Sequence, residues 1–250
     1  MIELGKKAEE LLKRKDLSHA ERKAISGVLS IARGWDGENR LGAQTLSLGQ
    51  ATKEYKNKLT DPELLTQFMS AFWQKAGQRI GMDIVVDKFP LTDKEIKEKQ
   101  KNGQMAIFVP AEVSRVDLGK MFPKMESWAV KEENTVVSVV NNSGWLWIEA
   151  SVDVPNRGTT QSQLEKKLRK EKRQGQSLRT YIVGSQISKS LTDKYFDEGA
   201  AWSRLLGSRD EGGFLSAIFD SNGYLSAYSY WRPEYHHGSI GGRSEEVIKA

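Results

Sequence analysis

The chain's 250 residues, 38% hydrophobic and 28% charged, are enough to bury a core without covalent staples, and they include no apolar run of bilayer length. There is no cysteine, which excludes disulfides, thiolate metal sites and a cysteine nucleophile. The net charge is +5, and no apolar segment follows the lysines of the opening stretch MIELGKKAEELLKRK, so a cytoplasmic protein without a secretory signal is expected.

The first third reads as helices. Leu4, Ala8, Leu11 and Leu12 recur on one face of a 3.6-residue period. Ser18 and Glu21 form a capping box that opens a second helix, with Ala24, Ile25, Val28, Leu29 and Ala32 as its stripe and Gly34 as its stop. After a glycine-rich loop around GWDGENRLG, the residues Leu48, Ala51, Tyr55 and Leu59 predict a third helix. Thr60-Asp61-Pro62-Glu63 is a second capping box, and the wide stripe behind it (Leu64, Leu65, Phe68, Met69, Phe72, Trp73, Ala76) marks the centre of a core.

From residue 82 the period shortens to two in MDIVVDKF and again in MAIFVP. Between them Thr92 and Glu95 repeat the capping signature and open a short charged helix ending at Gly103. Two hairpins are predicted, TVVSVVNNSGWLWIEASV and FLSAIFDSNGYLSAYSYW, each with Asn, Asp, Ser and Gly between apolar alternations. Between the hairpins come a basic helix, a short strand TYIVG, and a helix over TDKYFDEGAAWSRLLG with Tyr195, Ala201, Trp202, Leu205 and Leu206 on one side.

The pattern predicts an α+β fold, with N-terminal helices packed on a C-terminal antiparallel or mixed sheet containing two hairpins. Its regions would be a helical part over 1–80 and an α+β part with mostly antiparallel sheet over 81–250, or one continuous domain. No glycine-rich phosphate-binding fingerprint follows a strand.

Four groups of residues are candidates for function. Trp145, Trp147, Glu149 and Asp153 share one side of a strand, opposite Leu146 and Ile148. That face is expected to pack under another element, with a ligand stacked on the tryptophans as the alternative. Glu149 and Asp153 lie about 13 Å apart along a strand, too far to work as a glycosidase pair. Tyr224, Ser226, Tyr228 and Tyr230 share a side in the second hairpin.

His236 and His237 are adjacent and point apart in an extended segment, so no metal and no cofactor is expected. The tail GSIGGRSEEVIKA reads as a flexible loop capped by Ser244, with an anion-holding nest completed by Arg243 as the sharper reading. Arg204 and Arg209 are either anion ligands or partners of Asp210 and Glu211.

The fourth group is the least ordinary. Residues 159–179 carry a positive excess equal to that of the whole chain, and Lys166, Lys167, Arg169, Lys170, Lys172 and Arg173 crowd around a narrow Leu164–Leu168 line. Such a helix can dock on a surface but cannot be buried. Its charge density suits phosphates, an acidic protein or another anionic partner. The leading expectation is a nucleic-acid-associated binding protein with sequence-tolerant phosphate contacts. The alternatives are an enzyme acting on a phosphorylated or sugar substrate in a cleft between helices and sheet, and a protein-interaction module. Dispersal of Glu149, Asp153, Arg204, Arg209, His236 and Arg243 would favour binding; their convergence on one pocket would favour the enzyme.

Overall fold

A computed structural model describes residues 46–131, 136–199, 201–229 and 232–249, together with positions 7, 10–12, 21, 24 and 25. The two helices expected from Leu4 and Ser18, and the loop around GWDGENRLG, lie outside the described residues except at those isolated positions, where Leu12 packs against Ile25.

Helix α1 spans Leu48–Asn57, with Ser47 and Gln50 closing a capping box. It ends before Leu59, which is exposed. Helix α2 spans Pro62–Gln78. Its cap is Asp61, one residue later than the Thr60 box predicts: the Asp61 carboxylate accepts from the amides of Glu63 at 3.0 Å and Leu64 at 3.1 Å. That shift puts Pro62 at the first helical position, where its missing N–H costs nothing. The two helices meet through stacked rings of Tyr55 and Phe68, 5.3 Å apart. Helix α3, Asp93–Lys101, starts at the predicted Thr92–Glu95 box, and Gly103 follows it with φ of 71°.

Two sheets carry the rest. In the first, β1 (Gln104–Val109), β3 (Gly144–Glu149), β9 (Ser244–Val247) and β4 (Gln174–Gly175) are antiparallel neighbours in the order β1-β3-β9-β4. In the second, β2 (Val137–Ser138), β5 (Trp202–Asp210), β6 (Gly213–Phe219) and β7 (Leu225–Tyr228) are antiparallel, and β8 (Ile240–Gly242) pairs parallel with β5. Helices and antiparallel sheet thus form the α+β fold that the sequence predicts. Helix α4, Arg115–Met121, and two 3-10 turns, Pro123–Met125 and Trp128–Val130, connect β1 to β2.

The predicted hairpins fare differently. FLSAIFDSNGYLSAY folds as expected, with β6 on β7 and the Asp220 carboxylate accepting from the amides of Asn222 and Tyr224. The first does not form. β2 pairs with β5, while β3 pairs with β1 and β9, so Asn141–Ser143 carries the chain from one sheet to the other. Val137 and Val139 are 55% and 53% exposed, which removes the burial that would have paid for pairing them on β3.

Two element types are also reversed. The basic helix is α5, Gln161–Lys170, and TYIVG is no strand but the buried heart of the longer helix after it, α6, Leu178–Thr192. α6 lies between the sheets. Ile148 of β3 comes so close on one side that a side chain at Gly184 would meet it at 2.6 Å, and Tyr181 stacks on Phe219 of β6 at 5.7 Å on the other. A helix covered on both sides has no polar stripe, so its period is hidden. Conversely, the helix predicted over TDKYFDEGAAWSRLLG is a turn followed by strand β5, whose polar Ser203, Arg204 and Ser208 are buried along with its leucines. MDIVVDKF crosses the surface of the first sheet as extended chain without a ladder.

Candidate nucleic-acid interface

The tryptophan face is covered. Trp145 and Trp147 are 6% and 2% exposed. Phe89, from the extended segment, meets both rings edge-on at 4.8 and 6.0 Å, and the Trp145 indole donates to the Asp87 carbonyl at 2.9 Å. The Lys99 ammonium caps Trp147 at 5.7 Å. Glu149 continues this face but answers Arg173, 2.9 Å away, and the Ser244 amide at 2.9 Å. Asp153 lies beyond the strand end, exposed and paired with Arg157 at 3.2 Å. Both tryptophans are thus packed inside the fold, with Trp147 also reaching the wall of a cleft beside β9, and both carboxylates are ion-paired.

Two candidate cations are likewise committed inside the fold. Arg173 is nearly enclosed with Glu149 and also reaches the Ser244 carbonyl at 3.3 Å, so it does not present its charge with the basic helix. Arg243 is fully buried between β8 and β9, where its guanidinium meets the Asp197 carboxylate at 2.6 Å and lies 4.0 Å over the Phe196 ring. Tyr181 and Ser203 hydroxyls donate to the same carboxylate at 3.0 and 2.6 Å. Burial and the neighbouring Asp197 charge push the Tyr181 phenol well up. The tail is therefore largely strand and not a flexible loop, and Asp197 and the Val152 carbonyl take the Nε and Nη2 donors of Arg243.

The remaining polar candidates come from β5 and the stretch before β8. Arg204 is buried and donates to the carbonyls of Thr159 and Tyr235, and burial lowers its pKa. Arg209 is exposed on β5. His236 and His237 are exposed, the latter bonded to the Ser239 hydroxyl at 2.8 Å. None of Glu149, Asp153, Arg204, Arg209, His236 or Arg243 lines a cavity described below. Tyr224 and Tyr228 are exposed; Tyr230 lies outside the described residues.

The basic helix has the docking geometry that its sequence predicts. Thr160 and Gln163 close a capping box at its start. Leu164 and Leu168 are buried against Leu206, with Phe214 packed alongside. Leu164 fits because Gly242 has no side chain: a Cβ there would stand 2.1 Å from the leucine methyl. Lys166, Arg169 and Lys170 stand three and four residues apart on the opposite, exposed face. Lys167, also exposed, bonds Asn156 and lies 3.9 Å from Glu171.

The helix ends in a Schellman turn. The Arg173 amide donates to the Leu168 carbonyl at 2.9 Å and the Lys172 amide to the Arg169 carbonyl at 3.1 Å. That turn needs a left-handed residue, and glycine is the usual occupant. Here the position is held by Lys172, with φ of 57°. Its side chain joins Lys99 and Lys249 around a cleft of about 570 Å³ beside β9. Glu245 forms part of that cleft; burial raises its carboxyl pKa, against the lowering effect of the Ser177 amide, the Thr180 hydroxyl, Asn142 and Arg179.

Of the residues lining this cleft, the sequence singles out Trp147 and Lys172 but not their convergence, because the lysines come from α3, the α5 turn and the stretch after β9, 150 residues apart in the chain at their widest. No protein-family model matches the chain, and neither a curated protein nor a solved structure shows significant similarity to it. Among the described residues, no helix is long and apolar enough to cross a membrane.

Proposed function

We propose that the protein binds nucleic acid through the exposed face of α5, gripping the phosphate backbone without reading bases. One observation carries this reading. The side chains of Lys166, Arg169, Lys170 and Lys172 are exposed, and none has a hydrogen-bond or ion-pair partner among the described residues. Like charges three and four residues apart destabilise a helix by about 0.2–0.5 kcal/mol per pair, a cost that bound phosphates would relieve. Lys172 adds a second cost, a side chain in a backbone conformation that suits glycine. That none of the six polar candidates lines a cavity among the described residues gives further support to a binding protein over an enzyme.

Four phosphate contacts should make log affinity fall with log salt at a slope of about −3 to −4. Fluorescence anisotropy with single- and double-stranded oligonucleotides across a salt series measures that slope. Replacing Lys166 and Lys170 with glutamine should flatten it by about one to two units, with the fold unchanged because both side chains are exposed. Absence of binding at low salt, or binding that the double variant leaves unaltered, would retire the proposal.

A further inference from the structure

A second cavity, of about 340 Å³, opens where the C-terminal half of α2, the turn after α4 and the C-terminal half of α6 meet. It is lined by none of the α5 cations. Its volume falls within the range of roughly 300–1,000 Å³ that small-molecule sites occupy. Two kinds of side chain build it. Phe72, Phe122 and Tyr195 supply an apolar wall, with the first two rings stacked at 5.9 Å and Tyr195 held by stacking on Phe219 at 5.2 Å. Lys75, Arg79, Lys124 and Lys189 supply the charge, and among the described residues no carboxylate lines the cavity.

These cations are not equally committed. Lys189 is 3.2 Å from Asp193, whose side chain is 95% exposed. Arg79 is anchored by one nitrogen to the Met121 carbonyl at 2.7 Å, which aims the planar fork while leaving its other donors available. The side chains of Lys75 and Lys124 have no partner among the described residues, nor does the Gln186 amide on the α6 side. Cations gathered around an apolar recess repel one another and gain from an anion whose body fills the recess.

We infer that this cavity is a binding site for a small amphipathic organic anion, an aromatic or aliphatic body bearing a phosphate or carboxylate. The body lies against Phe72, Phe122 and Tyr195, and the anionic head sits among Lys75, Arg79 and Lys124. The inference is independent of nucleic-acid binding at α5, since the two sites share no residue.

Isothermal titration calorimetry with naphthyl phosphate tests it, with inorganic phosphate and naphthol as the head and body alone. Naphthyl phosphate should saturate one site below about 1 mM, and each half-ligand should bind at least about tenfold more weakly. The Lys75→Gln/Lys124→Gln variant should weaken naphthyl phosphate by about tenfold or more. Gln186→Trp, which fills the cavity without changing its charge, should do the same, while Lys166→Gln/Lys170→Gln should bind as the parent does. Circular dichroism melts establish that each variant is folded. The inference is overturned if naphthyl phosphate fails to saturate, if inorganic phosphate binds equally well, or if the cavity variants retain parental affinity.

Discussion

The Arg243 guanidinium lies 2.6 Å from the Asp197 carboxylate with both side chains withdrawn from solvent, so each is the other's only counter-charge within hydrogen-bonding distance among the described residues. Removing one member strands the other in a low-dielectric interior, which typically costs about 3–5 kcal/mol. Arg243→Met and Asp197→Asn are each expected to fall in that range by urea denaturation. The double variant should cost less than the sum, with a coupling of about 1–3 kcal/mol. Additive losses would mean that the two side chains act separately.

Lys172→Gly should move stability and binding in opposite directions. Relief of a left-handed side chain, about 1–2 kcal/mol, outweighs the entropy cost of a new glycine, about 0.4–1 kcal/mol. A net gain of about 0.5–1 kcal/mol is expected in denaturation, with oligonucleotide affinity reduced and the salt slope shallower by about one unit. A variant that is less stable than the parent contradicts the strain reading.

Helix α2 should be a stability hub. Phe72 and Trp73 are buried, and the Trp73 indole donates to the Phe108 carbonyl of β1 at 2.9 Å. Truncating either ring to alanine is expected to cost about 3–5 kcal/mol. Trp73→Phe, which keeps most of the volume and loses the hydrogen bond, should cost nearer 1–2 kcal/mol by the same denaturation measurement, roughly the net value of one such bond and a stranded carbonyl.

Glu245 gives a pH signature with a definite sign. Burial raises its carboxyl above the ordinary value of 4.5. Between the unfolded and the folded pKa the folded chain holds more protons than the unfolded one, so stability falls as pH rises through that interval. Below it this contribution is constant. Glu245→Gln carries no proton to lose, so denaturation free energies measured upward from about pH 4.5 should decline less steeply in the variant than in the parent. Parallel curves would show that the carboxyl is not held above its unfolded value.

What the sequence disclosed follows a simple physical division. Leu164 and Leu168 announced a surface helix because one side of it is wet, and Asp220 with Gly223 announced a hairpin because the turn chemistry is local. Helix α6 was illegible because Tyr181, Ile182 and Val183 are covered on every side, leaving no contrast to reveal a period. Strand β5 was illegible for the opposite reason, since Ser203 and Ser208 are polar yet buried. Arg173 and Arg243 looked like surface cations because their partners, Glu149 and Asp197, are 24 and 46 residues away. Charge is visible in a sequence, but its neutralisation depends on tertiary contact.

The placement of β9 between β3 and β4 governs the order in which the molecule can be assembled. Leu146 pairs with Val247, which follows it by 101 positions. At about 5–20 residues per second, a ribosome needs roughly 5–20 s to make the intervening chain. Throughout that interval one edge of β3 has no strand to pair with, while Leu146 and Ile148 are already synthesised and apolar. An unpaired apolar edge is the kind of surface on which strands from other chains add. The newborn chain is therefore most vulnerable to aggregation during this wait, and chaperones that shield β-edges should raise its yield more than they raise the stability of the finished protein.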